Sequence, residues 1–395
     1  MKIAISGAGI AGGTLAYWLL RAGYEPLLIE RAPTLRRGGY VMDFWGVGYD
    51  VAERMGILPG VREAGYQVEN VRFLDDNGRK VGGFAVDALR DLTRGRLTSV
   101  ERGALAAEIY RSIEGRVETI FDDQITAIDQ HESGVRITLQ SGETRDVDVV
   151  VGADGLHSRV RELTFGPEHR FEKDLGYRFA VFESAGYRPR DENAYLIHAA
   201  TSRQIARFSL RDDATLFLLV FKSGLMKGGE PRNTSEIQTL LRSVFADAGW
   251  ESARILAAMD TAEEIYFDRV SQIRLPSWHE GRVALVGDAG VAVSFLAGEG
   301  AGLAMAEAYV LAGELARAKG DYQTAFPAYE SRLRSFVEDK QRNAEGFAST
   351  FVPETQFGIW LRNHATKLMA LPGAANLMLG RSLRDDITLP DFLMD

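Results

Sequence analysis

Lys2-Ile-Ala-Ile-Ser6, followed at once by Gly7-Ala-Gly9-Ile-Ala11-Gly12-Gly13, opens the chain and decides how the rest is read. The apolar run predicts a short buried strand and the glycines a tight turn. Leu15, Leu19 and Leu20 then recur at helical spacing up to Gly23. Pro26-Leu-Leu-Ile-Glu30 reads as a second buried strand, so the stretch predicts a β-α-β unit with parallel strands and a right-handed crossover. Within it, Gly7, Gly9 and Gly12 match the dinucleotide fingerprint. One glycine makes the turn, one lets the backbone approach a pyrophosphate, and one allows helix to pack closely on strand. The helix start presents free amides and a positive dipole end to phosphate. Glu30, about 20 residues on, can accept hydrogen bonds from ribose hydroxyls but repels a 2′-phosphate, which favours FAD or NAD over NADP at this turn.

Two further apolar runs end in glycine, Val147 to Gly152 and Arg282 to Gly287, and each suits a buried parallel strand joining the first sheet. Between them, Tyr177 to Ser184, Ala194 to Ala200, Gln204 to Leu210 and Thr215 to Phe221 predict a mostly antiparallel second sheet. Residues 303 to 345 read as helix, punctuated by Gly320. A last helix over about 355 to 371 places Phe357, Trp360, Leu361, Ala365, Leu368 and Met369 on one side. That helix is expected to dock across both lobes rather than to lie on a membrane with Arg362, His364 and Lys367, because its basic character is weak. The predicted fold class is α/β: a Rossmann-type nucleotide-binding domain with a parallel sheet, a mostly antiparallel substrate domain, and a C-terminal bridging helix. The expected boundaries are 1–165 with 270–345, then 166–269, then 346–395.

A chain of 395 residues exceeds one ordinary core, so two lobes with a pocket between them are expected. The net charge of -9 offers no basic stripe, which argues against nucleic acid as a partner. No cysteine is present, which excludes disulfides and thiolate chemistry and fits a reducing cytoplasm. Glycines interrupt the first apolar run, so a signal peptide is not expected. No apolar stretch reaches the roughly 18 to 20 residues of a membrane span. A monomer is expected.

Two more motifs discriminate between the nucleotides. Gly152-Ala-Asp154-Gly155-Leu-His157-Ser158-Arg-Val-Arg161 resembles the "DG" motif of the class A flavoprotein monooxygenases, the aromatic hydroxylases related to 4-hydroxybenzoate hydroxylase. Gly287-Asp288-Ala289-Gly290, with Gly298-Glu-Gly300-Ala301-Gly302 behind it, resembles that family's "GD" motif. The three motifs stand in the family's order over nearly the whole chain. The branch of tetracycline-inactivating flavin monooxygenases is most similar, through the segment from Gly38-Gly39 to Asp43, Ser99-Val-Glu-Arg102 with Leu105, and the closing helix.

The resemblance implies FAD as cofactor, NADPH or NADH as reductant, and oxygen inserted into a small aromatic or polyketide-like substrate through a flavin C4a-hydroperoxide. It implies a cofactor site of Gly7, Gly9, Ala11, Gly12, Glu30, Arg31, Gly39, Asp43, Arg102, Asp154, Gly287, Asp288, Gly298, Gly300, Ala301 and Gly302. Asp288 would bond the ribityl hydroxyls, Arg31 would pack on the adenine, and Arg102 would lie against the cofactor. Asp154 and Arg161 would order the loop near the pyrophosphate or serve the fold alone. The helix opening at Gly298 to Gly302 would aim its amides at the flavin N1 and C2 carbonyl, where negative charge builds on reduction. No catalytic side chain is required, because the cofactor carries the oxygen chemistry; the loop of Phe295, Gly298 and Gly300 would stand near the flavin. The chain departs from the family in Val291 after Gly290, Phe295 where proline is common, Glu299 for glutamine and Gly302 for asparagine. An FAD-dependent dehydrogenase or reductase without oxygen insertion is the alternative.

The six histidines (His131, His157, His169, His198, His279, His364) show no metal-ligand spacing, so no metal is expected, and no Gly-x-Ser-x-Gly elbow is present. Phe179, Phe182, Phe208, Phe217 and Phe221 are candidates for the wall of a flat pocket. Arg178 and Arg207 are candidates to orient an anionic or phenolic group.

Overall fold

The computed structural model describes residues 1–35, 39–369, 385 and 387–392, so Gly38 and the end of the predicted 355–371 helix lie outside the described residues. Strand β1 (Lys2–Ser6) pairs in parallel with β2 (Glu25–Glu30) on one side and with Val149–Gly152 on the other, and helix α1 (Ile10–Arg21) makes the crossover. The sheet extends to Val283–Leu285 at one end and to Glu118–Phe121 at the other. A short antiparallel piece, His279–Glu280, finishes the first edge. Ile3, Ile5, Leu28 and Val149 to Val151 are fully buried because helices or further strands cover both faces, and the unbroken apolar runs reflect that.

The second sheet has seven strands in the order Ile265–Ile273, Glu172–Ala185, Ala214–Lys222, Arg203–Ser209, Ala194–Ala200, Asn70–Leu74 and Lys80–Ala85. All its pairs are antiparallel except Ala194–Ala200 with Asn70–Leu74, as expected of a mostly antiparallel lobe. Two expected boundaries are corrected by this sheet, and a third by the long helix Tyr322–Phe351. The strands within 70–85 belong to this sheet although they precede residue 166, and Ile265–Ile273 runs through the 269/270 division. Hydrogen bonding between distant segments, which local patterning does not encode, decides both.

Side chains alternate across a strand, so each face of this sheet has its own set. Tyr177, Phe179, Val181, Phe208, Leu216 and Val220 face the first lobe, packing with Leu296, Ala348 and Val352. Phe182, Phe217 and Phe221 face the other way, under helices Thr234–Phe245 and Ser252–Ala258. Only Phe179 and Phe208 of the five candidate phenylalanines therefore turn toward the first lobe.

Helix Gly300–Arg317 packs on α1, and helix Tyr322–Phe351 follows it. The latter has 30 residues, about 45 Å of length at helical rise. It joins the lobes, and it crosses the expected 345/346 division without interruption. Helix Gln356–Leu368 lies on Lys80–Ala85 and Ala194–Ala200. It does so through its polar side: Thr366 accepts a hydrogen bond from the Gly83 amide at 3.1 Å, and a Cβ on Gly82 would meet the Asn363 backbone at 2.6 Å. Arg362 covers Phe73 at 4.3 Å and donates to Gln204. Of the apolar face expected to dock, Met369 is buried but Phe357, Trp360 and Leu361 are outward, at 68%, 52% and 51% exposure. Gly82 leaves room for the close approach of that polar face, which a Cβ there would obstruct. Chain beyond this helix reaches the first lobe, where Asp385 accepts from the Val47 amide, Arg54 donates to the Pro390 carbonyl and Phe392 packs on Tyr309. No helix among the described residues is long and apolar enough to cross a membrane.

Candidate functional site

The glycine turn has the geometry its residues dictate. Gly7 has φ +102° and lies so close to the neighbouring strand that a Cβ would meet the Ala153 carbonyl oxygen at 2.5 Å. A Cβ on Gly12 would meet the Gly7 oxygen at 1.9 Å, and Gly9 caps α1 without a side-chain bond, leaving its first amides directed outward. Glu30 holds its carboxylate beside this turn, accepting from the Ala8 and Ala32 amides at 2.9 Å each. Arg31, next in sequence, is exposed.

The second motif meets the first in space. Gly287, φ +61°, packs so closely that a Cβ there would lie 3.0 Å from Ala11 and 3.3 Å from Ala304. Asp288 therefore projects into the same cleft as the glycine turn. Its carboxylate is reachable by solvent yet ringed by protein, and burial pushes it above the usual carboxylate range, with Arg102 and then Arg161 opposing that shift. Among the described residues it has no hydrogen-bond partner, which leaves its oxygens free to accept from a polar ligand. The Arg102 guanidinium lies 4.0 Å from where a Gly9 Cβ would stand, and its Cβ lies 3.7 Å from the corresponding point on Gly39. A Gly300 Cβ would be 3.7 Å from the Asp288 carboxylate. Gly7, Gly9, Ala11, Gly12, Glu30, Gly39, Arg102, Gly287, Asp288 and Gly300 thus converge on one cleft. Asp43, bonded to the Ser99 hydroxyl at 2.5 Å, lines an adjoining cavity with Trp45, Gly298 and Gly302. Gly302 is turned to the crossing helix Gly46–Arg54: a Cβ on Gly48 would strike the Gly302 Cα at 2.3 Å. That close crossing requires glycine at 48, whereas a Cβ on Gly302 would meet only ordinary contacts at 3.5 Å.

Asp154 works within its own loop, accepting from the Ser158 hydroxyl and the Arg159 and Val160 amides, while Ser158 caps helix Arg159–Phe165. Arg161 is fully buried and donates to the Ala289 carbonyl at 2.9 Å and to Glu168 at 2.7 Å, tying the DG motif to the GD turn. His157 bridges Glu168 and Asp268, and those two carboxylates push its imidazole up to about 10. Arg178 and Arg207 lie on the far face of the second sheet. Arg178 pairs with Asp174 and Glu230, and Arg207 with Asp191 and Glu251, so neither reaches the cleft.

Sequence reasoning missed several participants. Glu307, fully buried, accepts a hydrogen bond from the Gly287 amide, and burial pushes its carboxyl well above the usual range. A lone acid in the apolar run from Leu303 to Val310 was the available signal. Gln272 donates to the Val293 carbonyl and Gln341 to the Ala292 carbonyl, pinning the loop after Asp288 from two sides. There Ser294 adopts φ +134°, a strained conformation for a residue with a side chain. The following Phe295 ring stacks on Phe179 at 3.9 Å and meets Tyr40 edge-on at 4.8 Å. Tyr266, tilted against Phe179, donates to Asp268.

A nucleotide cleft of this kind, roofed by an antiparallel sheet with an aromatic wall, defines a flavoenzyme of two-lobed design. The family model described as an FAD binding domain matches residues 1–344. A flavin-dependent monooxygenase from an unknown prokaryotic organism is 33% identical over 369 residues, covering 91% of this chain and 89% of that one. Another, from Legionella longbeachae, is 31% identical over 417 residues, covering 99% and 98%. The crystal structure of tetracycline destructase Tet(51) superposes with a TM-score of 0.82 at 31% identity, covering 99% of each chain. The chain belongs to the FAD-binding family of flavin-dependent monooxygenases.

Proposed function

We propose that the chain is a single-component monooxygenase that uses NADPH or NADH to place one oxygen atom on a small, flat aromatic or polyketide-like substrate. The observation that carries this reading is the unpartnered Asp288 carboxylate facing the glycine turn, with the Phe295, Phe179 and Tyr40 wall beside it. When bound, FAD supplies the redox and oxygen chemistry.

The protein's part is position, dryness and charge. The start of α1 and the glycine turn would hold the pyrophosphate, Glu30 the ribose, Asp288 the ribityl chain, and Arg102 would lie against the cofactor. Arg31 would cover the adenine. The amides from Gly298 to Ala301 at the start of helix Gly300–Arg317 would stabilise negative charge on the flavin pyrimidine ring. Asp154 and Arg161 act on the site through the loop geometry they maintain. Phe295, Tyr40, Phe179 and the half-exposed Tyr266 present ring faces and edges suited to a planar substrate, and they keep water out. With Arg178 and Arg207 engaged elsewhere, shape and stacking would orient the substrate rather than a carboxylate anchor. Similarity to a tetracycline destructase makes tetracycline one reasonable first probe. The enzyme would act as a cytoplasmic monomer.

The test is to reduce the FAD-loaded protein with NADPH or NADH, admit ¹⁸O₂ with tetracycline or a panel of phenols, and weigh the products. One labelled oxygen in a product is expected. Substrate turnover yielding only unlabelled, oxidised or reduced product would replace this reading with a dehydrogenase or reductase.

A further inference from the structure

Glu299 occupies the N-cap position of helix Gly300–Arg317, between Gly298 and Gly300, yet its side chain makes no capping hydrogen bond. A free carboxylate there would attract the positive end of the helix to itself. It would also repel the negative charge that a flavin gains on reduction. Lys340, from the middle of helix Tyr322–Phe351, meets it instead, with Nζ at 2.7 Å from Glu299 and 2.7 Å from Asp385. The three side chains are only 10%, 19% and 12% exposed for Lys340, Glu299 and Asp385. Water therefore screens the pair weakly, and the charges act at fuller strength than a surface pair. The other Asp385 oxygen accepts from the Val47 amide at 2.6 Å, so that carboxylate is held by the backbone of helix Gly46–Arg54. The ammonium group also rests on the Phe336 ring at 5.3 Å. These groups line one cavity with Asp43, Gly298 and Gly302, beside the cleft already described.

We propose that Lys340 is an electrostatic positioning residue for the flavin. Shared between Glu299 and Asp385, it offsets the charge of Glu299 and leaves the amides at Gly300 and Ala301 free to act on the bound cofactor. The acid that replaces the family's glutamine is thus matched by a cation from a helix some forty residues further along the chain. The inference rests on FAD lying at this loop and is independent of whether oxygen is transferred.

The experiment is an anaerobic dye-coupled titration of the FAD midpoint potential in purified holoenzyme, without substrate or oxygen. FAD-to-protein ratio and circular dichroism serve as controls for folding. Lys340→Met is expected to shift the potential to more negative values, and Glu299→Gln to more positive ones. The double variant should return toward the wild type, and Lys340→Arg should stay near it. A merely structural lysine would alter stability without this ordered pattern. A wild-type potential in Lys340→Met, or a double variant no closer to wild type than Lys340→Met, would overturn the proposal. Should Lys340→Met not fold, the absence of a positive shift in Glu299→Gln overturns it equally. A negative ¹⁸O result would leave this measurement intact, so the two readings fail separately.

Discussion

The carboxyl of Glu307 lies one hydrogen bond behind the Gly287–Asp288 turn. Its raised pKa means that stability is fully present below the ordinary glutamate range and is lost as pH rises toward the folded value, because ionising the group inside the core is unfavourable. Glu307→Gln keeps the acceptor for the Gly287 amide and removes the ionisation. It should flatten the decline of Tm on the alkaline side, as thermal scans from acid to alkaline pH will reveal. Glu307→Leu strands that amide and should lower stability by ~1–3 kcal/mol at every pH. In the proposed reading, Phe295 is the residue-scale determinant of the substrate wall. Phe295→Ala removes a ring that would stack on a planar ligand; an aromatic pair is worth ~0.5–1.5 kcal/mol, or about twofold to twelvefold in affinity. Titrating tetracycline against the flavin absorbance should show that weakening at unchanged FAD content. Unaltered affinity would remove Phe295 from the wall.

At the scale of elements, the site depends on how closely helices approach. Helix Gly46–Arg54 crosses helix Gly300–Arg317 at Gly48 and Gly302, and the two glycines are not equivalent. A Cβ on Gly48 would collide with the Gly302 backbone, whereas a Cβ on Gly302 would meet only ordinary contacts at 3.5 Å. Gly48→Ala should therefore cost ~1–3 kcal/mol by forcing the helices apart. It should also loosen FAD by moving the start of the second helix. Gly302→Ala should be tolerated. Denaturation midpoints and FAD content of the two variants will separate them, and equal effects would refute the asymmetry.

At the scale of the molecule, His157 on the first lobe and Asp268 on the second sheet join the two halves, with Glu168 completing the cluster. The imidazole, raised from 6.5 to about 10, contributes stability that is fully present below its unfolded value and fades as pH rises through about 10. Asp268 and Glu168 are lowered, His157 being their leading stabilising partner against burial, so their contribution appears above the ordinary carboxylate range and fades as pH falls. The cluster should therefore hold the lobes best from mildly acidic to neutral pH. His157→Gln should lower Tm there, and the difference should vanish above about pH 10. The half-exposed ring limits the loss to about 1 kcal/mol.

The chain by itself determined the β-α-β unit, the order of its three motifs and the two sheet styles, because glycine spacing and apolar periodicity act on neighbouring residues. It also singled out Glu30, Arg102 and Asp288, whose motif positions are local and which the fold brings beside the glycine turn. Tertiary structure alone decided that Arg178 and Arg207 face away from the cleft, that Phe357, Trp360 and Leu361 face outward, and that Lys340 meets Glu299. It also brought Glu307 behind the Gly287 turn. The physical reason is one of range: strand pairing, helix rotation and buried charge pairing are settled by contacts between segments far apart along the chain, which no local pattern records.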